Sequence, residues 1–211
     1  MVLCVAALHC AGQVATGSVD RSARVWDAAT GACLAVLKGH TDGVYAVAAV
    51  PGGRVATGSN DHSVRFFDPA ASYACTGELK MASSVRALAV CGVGGAYLAC
   101  GGLNGRVVLL EESLSGGSGG KGGSYAQAEW EGELKGHTDG VWSLAAMPQG
   151  LLASGSSDTT VRVWAVAERA CLAVLSRHTR RVRALAVLLP SGRQCSGSEG
   201  ARGDICVWEL S

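Results

Sequence analysis

The sequence predicts an all-β fold, a β-propeller of about five four-stranded antiparallel blades whose ring is incomplete or open, and three observations predict it. One pattern, a tight turn leading into an alternating strand that ends on a large apolar residue, recurs as SVDRSARVWD, SNDHSVRFFD, GLNGRVVLLE, SSDTTVRVWA and GARGDICVWE. The apolar anchors of these copies, Trp26, Phe67, Leu110, Trp164 and Trp208, are spaced by 41, 43, 54 and 44 residues. Apolar residues inside each copy alternate with period two, the rhythm of strands, and not with the 3.6 of helical repeats. The one long interval contains ESLSGGSGGKGGSYAQ, a Gly/Ser tract with too few apolar side chains to pack. Without it the period is about 42 residues, the length of one four-stranded blade.

Within each unit the strands follow in order. The first reads VLCVA, VYAVA, VRALA, VWSLA and VRALA, apolar at alternate places around one variable position. The second reads VATGS, VATGS, LACGG, LASGS and QCSGS. The third carries the anchor, and the fourth reads CLAVL, CTGEL, EWEGEL and CLAVL. The fifth unit stops at Ser211, three residues past Trp208, with no fourth strand, and the first begins directly on VLCVA. One domain over residues 1–211 is expected, with repeats at 1–38, 39–80, 81–135, 136–176 and 177–211 and the Gly/Ser-rich insertion at 113–127. The two ends cannot complete the ring, so the expectation is an open arc with an unpaired edge or a piece of a longer product.

Composition narrows the function classes. A formal net charge of +1 with 17% charged residues gives no global electrostatic pull toward nucleic acid or a membrane surface. The nine cysteines are odd in number, scattered and without a C-x-x-C pair, which implies neither a disulfide framework nor a metal site. Cys33 and Cys171, in the near-identical contexts GACLAVL and RACLAVL, read as small buried hydrophobes of a reused strand, and the expected compartment is reducing, cytoplasmic or nuclear. MVLCVAALHCAG has the apolar character of a signal peptide without its basic start and is read as the first strand. No apolar run reaches the roughly 18 residues that span a bilayer, so no membrane partner is expected. GGSGGKGGS lacks the G-K-[ST] ending of a phosphate-binding loop, and no cofactor is implied.

The repeated elements resemble the WD-repeat β-propeller family. The resemblance covers the chain apart from the Gly-rich insertion. It rests on Gly39-His40 and Gly136-His137, the turn aspartates Asp20, Asp61 and Asp158, and the strand-ending Trp26-Asp27. It implies a buried polar network per repeat, linking a histidine before the first strand, a hydroxyl in the second, an aspartate in the turn and a tryptophan in the third. The fourth unit matches with His137, Ser154, Asp158 and Trp164. The second matches with His40, Thr57 and Asp61 but has Phe67 for tryptophan. The first offers Thr16, Asp20 and Trp26, and the fifth His178, Ser196 and Trp208 with its aspartate position blurred. The third has Met81, Cys100, Asn104 and Leu110, and no network can form.

The same residue types could be mistaken for a hydrolase's Ser/His/Asp machinery. A catalytic set needs one nucleophile at one exposed site with one oriented base. Here the set recurs, which fits polar groups satisfying each other inside successive sheets. No catalytic residue is assigned, and the chain is read as a non-enzyme.

Recognition is sought where the copies differ. The second position of the first strand reads Leu3, Tyr45, Arg86, Trp142 and Arg183 between near-constant neighbours. The family resemblance places this column near the top rim of the central channel. Tyr45, Arg86, Trp142 and Arg183 are therefore the candidate partner-binding set, since aromatic residues and arginine dominate interface hot spots. A second candidate is the basic cluster Arg177, Arg180, Arg181 and Arg183 in SRHTRRVR, suited to an acidic peptide, a phosphate or RNA. The resulting reading is a non-enzymatic scaffold or adaptor for protein partners, with strand addition at the open edge as a further mode. The alternative is a ribonucleoprotein component that uses the Arg177–Arg183 cluster.

Overall fold

The computed structural model describes residues 1–8, 12–111, 130–188, 193–198 and 205–208. The Gly/Ser-rich insertion at 113–127 and the turn holding the blurred fifth aspartate lie outside the described residues. The first blade is β1 (Val2–Ala7), β2 (Gln13–Ser18), β3 (Ala23–Asp27) and β4 (Cys33–Leu37), hydrogen-bonded in that order. The second is β5 (Val44–Ala49), β6 (Val55–Ser59), β7 (Ser63–Asp68) and β8 (Ala74–Lys80). The third is β9 (Val85–Cys91), β10 (Tyr97–Gly102), β11 (Val107–Glu111) and β12 (Trp130–Leu134). The fourth is β13 (Val141–Ala146), β14 (Leu151–Ser156), β15 (Val161–Ala165) and β16 (Ala170–Leu175). The fifth has three strands, β17 (Val182–Leu188), β18 (Arg193–Ser198) and β19 (Ile205–Trp208). The chain is thus an all-β propeller of five small antiparallel sheets, and all five anchors fall on the third strand of a blade.

Neighbouring blades pack through their inner strands, β1 on β5, β5 on β9, β9 on β13 and β13 on β17. No comparable contact joins β17 to β1 among the described residues, so the arc is open. The core is divided into layers between sheets. Ala46, Phe66, Val85, Leu98 and Leu110 form the layer between the second and third blades, and Leu109, Val141, Leu152 and Trp164 the one between the third and fourth. Each layer joins the trailing face of one sheet to the leading face of the next, which is why apolar residues lie on both faces of the inner strands.

One irregularity repeats. The register between the first and second strands shifts between Val2 and Cys4, between Val44 and Ala46, between Val141 and Ser143, and between Val182 and Ala184. In the third blade the shift falls between Gly101 and Gly102, whose partners are Ala87 and Val85. The skipped residue is in every case the variable one: Leu3, Tyr45, Arg86, Trp142 or Arg183. A bulge frees its residue from the ladder and re-aims the side chain, so this column can vary without disturbing sheet pairing.

The cysteine reading needs correction. Cys33 and Cys171 are exposed, because CLAVL is the outermost strand of its blade and its alternation leaves the cysteine on the solvent side. Among the described residues the buried thiols are instead Cys91, Cys100 and Cys206. Burial pushes the Cys91 thiol up to about 12.

Candidate functional site

Two sets of polar residues recur around the arc, one buried between strands and one along the rim. In the fourth blade His137 lies just before β13, Ser154 on β14, Asp158 in the turn after it and Trp164 on β15. The Trp164 indole N–H donates to Ser154 Oγ at 2.7 Å, the Ser154 hydroxyl lies 2.7 Å from His137 Nε2, and His137 Nδ1 lies 2.7 Å from Asp158 Oδ2. Only one proton order satisfies this chain: tryptophan donates to serine, serine to Nε2, and Nδ1–H to the carboxylate. Asp158 also accepts from the Thr138 N–H and the Thr160 hydroxyl. Ser154 is 0% exposed and Trp164 1%, so no substrate reaches the hydroxyl.

The other blades carry versions of this chain. In the second blade His40 Nδ1 meets Asp61 Oδ2 at 2.9 Å and Nε2 meets Thr57 Oγ1 at 2.8 Å. Phe67, with no N–H, packs where a tryptophan would donate. The first blade has only the last link, Trp26 donating to Thr16 at 2.8 Å, and its Asp20 instead caps Ser22. In the fifth blade Ser196 accepts from Trp208 at 2.8 Å and lies 2.6 Å from His178 Nε2. The third blade fills the hydroxyl and tryptophan positions with buried Cys100 and Leu110. The Gly-His pairing has a local cause: Gly39 sits at φ 134, and a Cβ there would stand 2.7 Å from the Arg65 guanidinium.

These networks set a pH response. Burial lowers the pKa of His40 and His137, an effect the neighbouring carboxylates oppose without reversing. Burial alone would raise Asp61, but the Ser63 hydroxyl, the Thr41 N–H and His40 outweigh it and hold the carboxyl at about 2. Both histidines fold neutral, so the unfolded chain takes up protons first as pH drops below the unperturbed 6.5. Stability is therefore full above that value and falls below it, until each folded-state pKa is reached. The slope is bounded at about 1.4 kcal/mol per pH unit for each histidine, the limit for one proton. Asp61 adds a further loss as pH falls from 3.8 toward about 2. Urea unfolding between pH 8 and pH 4 checks this, and stability that rises on acidification contradicts it.

The rim is built from the bulged column. Arg86 Cζ lies 3.7 Å from the centroid of the Tyr45 ring and 5.2 Å from that of Trp142, and Arg183 Cζ lies 4.2 Å from the Trp142 centroid. Tyr45, Arg86, Trp142 and Arg183 therefore stack in blade order as one ladder across four blades, each cation on a ring contributing about 0.5–1 kcal/mol at such exposure. Turn residues fix the ladder: Arg86 Nη2 donates to Asn60 Oδ1 at 2.7 Å, and the Trp142 indole N–H donates to Ser157 Oγ at 2.6 Å. Sequence reasoning missed Asn60 and Ser157. A signal existed, because the residue before the turn aspartate, or before Asn104 in the third copy, also varies, as Val19, Asn60, Leu103 and Ser157. Of the basic cluster, Arg177, Arg180 and Arg181 are exposed around buried His178, while Arg183 turns onto the ladder.

Among the described residues no group of three or more His, Cys, Asp or Glu could hold a metal ion, and no helix is long and apolar enough to cross a membrane.

Comparison with known proteins agrees with this geometry. The family model described as "WD domain, G-beta repeat" matches residues 1–27, 31–68 and 129–165. The third-blade strands β9 to β11, where the network positions have become apolar, lie outside those matches. WD repeat-containing protein pop1 of Schizosaccharomyces pombe is 31% identical over 185 residues, covering 85% of this chain and 22% of that protein. Cell division control protein 4 of Saccharomyces cerevisiae is 43% identical over 56 residues, 26% of this chain and 7% of its own length. A probable cytosolic iron-sulfur protein assembly protein CIAO1 homolog of Chlamydomonas reinhardtii is 45% identical over 60 residues, 25% of this chain and 17% of its own. The chain thus spans less than a quarter of the length of each of these relatives. With five registered sheets, recurring His–hydroxyl–Asp links and these matches, the chain belongs to the WD-repeat β-propeller family.

Proposed function

We propose that the arc is a non-catalytic platform that holds protein partners in a larger assembly, and that a partner is taken up on the ladder of Tyr45, Arg86, Trp142 and Arg183. The observation that carries this reading is the ladder's continuity: the side chains that differ most between copies stack into one surface across four blades. Guanidinium groups already ordered against rings lose little freedom on binding, which favours affinity. Such a surface suits a protein segment that sets a carboxylate against a guanidinium and an apolar side chain against a ring. The buried Ser/His/Asp sets brace the blades, and neither cofactor nor metal has a part in this reading. The scattered cysteines, without a C-x-x-C pair, fit a reducing compartment, cytoplasmic or nuclear.

The test is affinity capture with quantitative mass spectrometry, comparing the wild type with Trp142→Ala and Arg183→Ala. Each is expected to lower capture of specific protein partners by about tenfold or more, the scale of a hot-spot truncation, while circular dichroism shows the fold retained. Undiminished capture by both folded variants removes the reading. The exposed Arg177, Arg180 and Arg181 support RNA as a second reading, and the same experiment separates it. Binding that is abolished by ribonuclease, steeply salt-dependent and lost in Arg180→Glu/Arg181→Glu, yet retained in Trp142→Ala, replaces the protein platform with a ribonucleoprotein component.

A further inference from the structure

Cys33 on β4, Cys75 on β8 and Cys171 on β16 occupy one register of the outermost strands. They stand opposite the anchors Trp26, Phe67 and Trp164, and in each blade the ladder slips just after the cysteine. All are exposed, and each thiol donates to the carbonyl two residues on, at 3.6, 3.4 and 3.5 Å. Cys75 lies in a blade packed on both sides by others, so this exposure belongs to the outer strand and not to the ends of the arc.

What differs is the cation beside the sulfur. Arg162 Nη1 lies 3.7 Å from Cys171 Sγ, and Arg65 Nη1 lies 3.9 Å from Cys75 Sγ. Arg24, at the same place in the first blade, turns to Asp20 at 3.7 Å instead. In the second blade the charge of Arg65 is already answered, because Glu78 stands opposite it across the ladder and pairs with it at 2.8 Å. In the fourth blade Val174 holds the place of Glu78, opposite Arg162. Among the described residues Arg162 forms no ion pair, and its buried Nε has no hydrogen-bond partner. The Trp164 ring, with its centroid 5.9 Å from Arg162 Cζ, holds the guanidinium beside the thiol.

We propose that Cys171 is a site of reversible S-thiolation by an anionic disulfide of the class of glutathione disulfide, whose carboxylate is taken up by the Arg162 guanidinium. The exposed sulfur provides access, and the unpaired cation provides selection among reagents. In the exchange the Cys171 sulfur gives up its proton to water and attacks one sulfur of the reagent. The reagent's S–S bond breaks as the new one forms, and the departing sulfur leaves as a thiolate that takes up a proton. The disulfide is itself the oxidant, and one thiol is released for the one consumed. This outer strand is separated from the rim ladder by the width of the blade, so the inference stands or falls apart from the partner reading.

Peptide mapping by mass spectrometry tests it on the full chain, treated either with glutathione disulfide or with uncharged bis(hydroxyethyl) disulfide. The rate of mixed-disulfide formation at each cysteine is read with both reagents. The ratio of the anionic to the uncharged rate is expected to be at least about threefold higher at Cys171 than at Cys75, the scale of one exposed charge pair, and to lose that excess at high salt. Arg162→Gln should remove the excess while the uncharged reagent still reacts. Val174→Glu reproduces the second blade's arrangement around Arg162 and should do the same, whereas Glu78→Val should raise the ratio at Cys75. Circular dichroism verifies each fold, and Val174→Glu, a change on an exposed face, decides the matter if Arg162→Gln fails to fold. Equal ratios at Cys171 and Cys75, an excess that survives Val174→Glu, or no mixed disulfide at Cys171 with glutathione disulfide overturns the proposal.

Discussion

A Ser154→Ala variant is expected to lose about 3 kcal/mol of stability, and a Thr57→Val variant at the equivalent place about half as much. The serine is the hub of the fourth blade's chain: it accepts from Trp164 and donates to His137. Removing it strands two buried polar groups, each at about 1–3 kcal/mol. Thr57 meets one buried side-chain partner at close range, His40 Nε2 at 2.8 Å, because Phe67 brings no donor to the second blade and the other contact of the hydroxyl, to the Arg65 carbonyl, is long at 3.4 Å. Near the unfolding midpoint of a chain this long the difference amounts to several degrees, at about 2–4 °C per kcal/mol. Trp164→Phe should fall below Ser154→Ala, since it reproduces the second blade's arrangement and leaves serine and histidine bonded to each other. Thermal unfolding of the three variants decides the matter. Equal losses for Ser154→Ala and Thr57→Val would mean that the bond from Trp164 contributes nothing.

A Gly58→Ala variant is expected to destabilise by at least about 2 kcal/mol, although alanine suits a strand better than glycine does. The added methyl would stand 2.5 Å from Val85 Cγ1 and 3.1 Å from Val85 Cβ, and the β9 sheet has no room to retreat without opening the layer that holds Phe66 and Leu110. Overpacking of this kind costs about 1–3 kcal/mol or more. Val85→Ala alone leaves a cavity in the same layer and is also destabilising. In the double variant the new methyl occupies space the valine gave up, so the two losses should add to clearly less than their sum. Urea unfolding of the cycle measures this coupling. Simple additivity would show that valine and glycine do not bear on one another.

Much of this molecule follows from its residues alone. The 42-residue beat, the period-two strands and the anchors Trp26, Phe67, Leu110, Trp164 and Trp208 prescribe the blade, because each strand must pair with the next to satisfy its backbone and must cover apolar residues on the faces it turns to its neighbours. The polar network positions were legible for a related reason: His, Ser or Thr, and Asp at fixed offsets are needed wherever a buried loop and turn must satisfy each other. Even the departures could be read, Phe67 at the indole position and Cys100 and Leu110 in the third blade, since a phenyl or isobutyl group offers no hydrogen bond and a thiol only a weak one.

Alternation misled where position within a sheet mattered. Cys33 and Cys171 look like core residues in CLAVL, and only the placement of that strand at the outside of its blade turns them to solvent. The ladder is likewise a product of the tertiary arrangement. Variation between copies singled out Tyr45, Arg86, Trp142 and Arg183, but residues about 40 to 55 positions apart acquire a common surface only when bulges lift them from their sheets and the arc sets the blades side by side. Local pairing depends on short-range pattern and was therefore written in the chain, whereas the company each face keeps depends on how the sheets are placed around the axis.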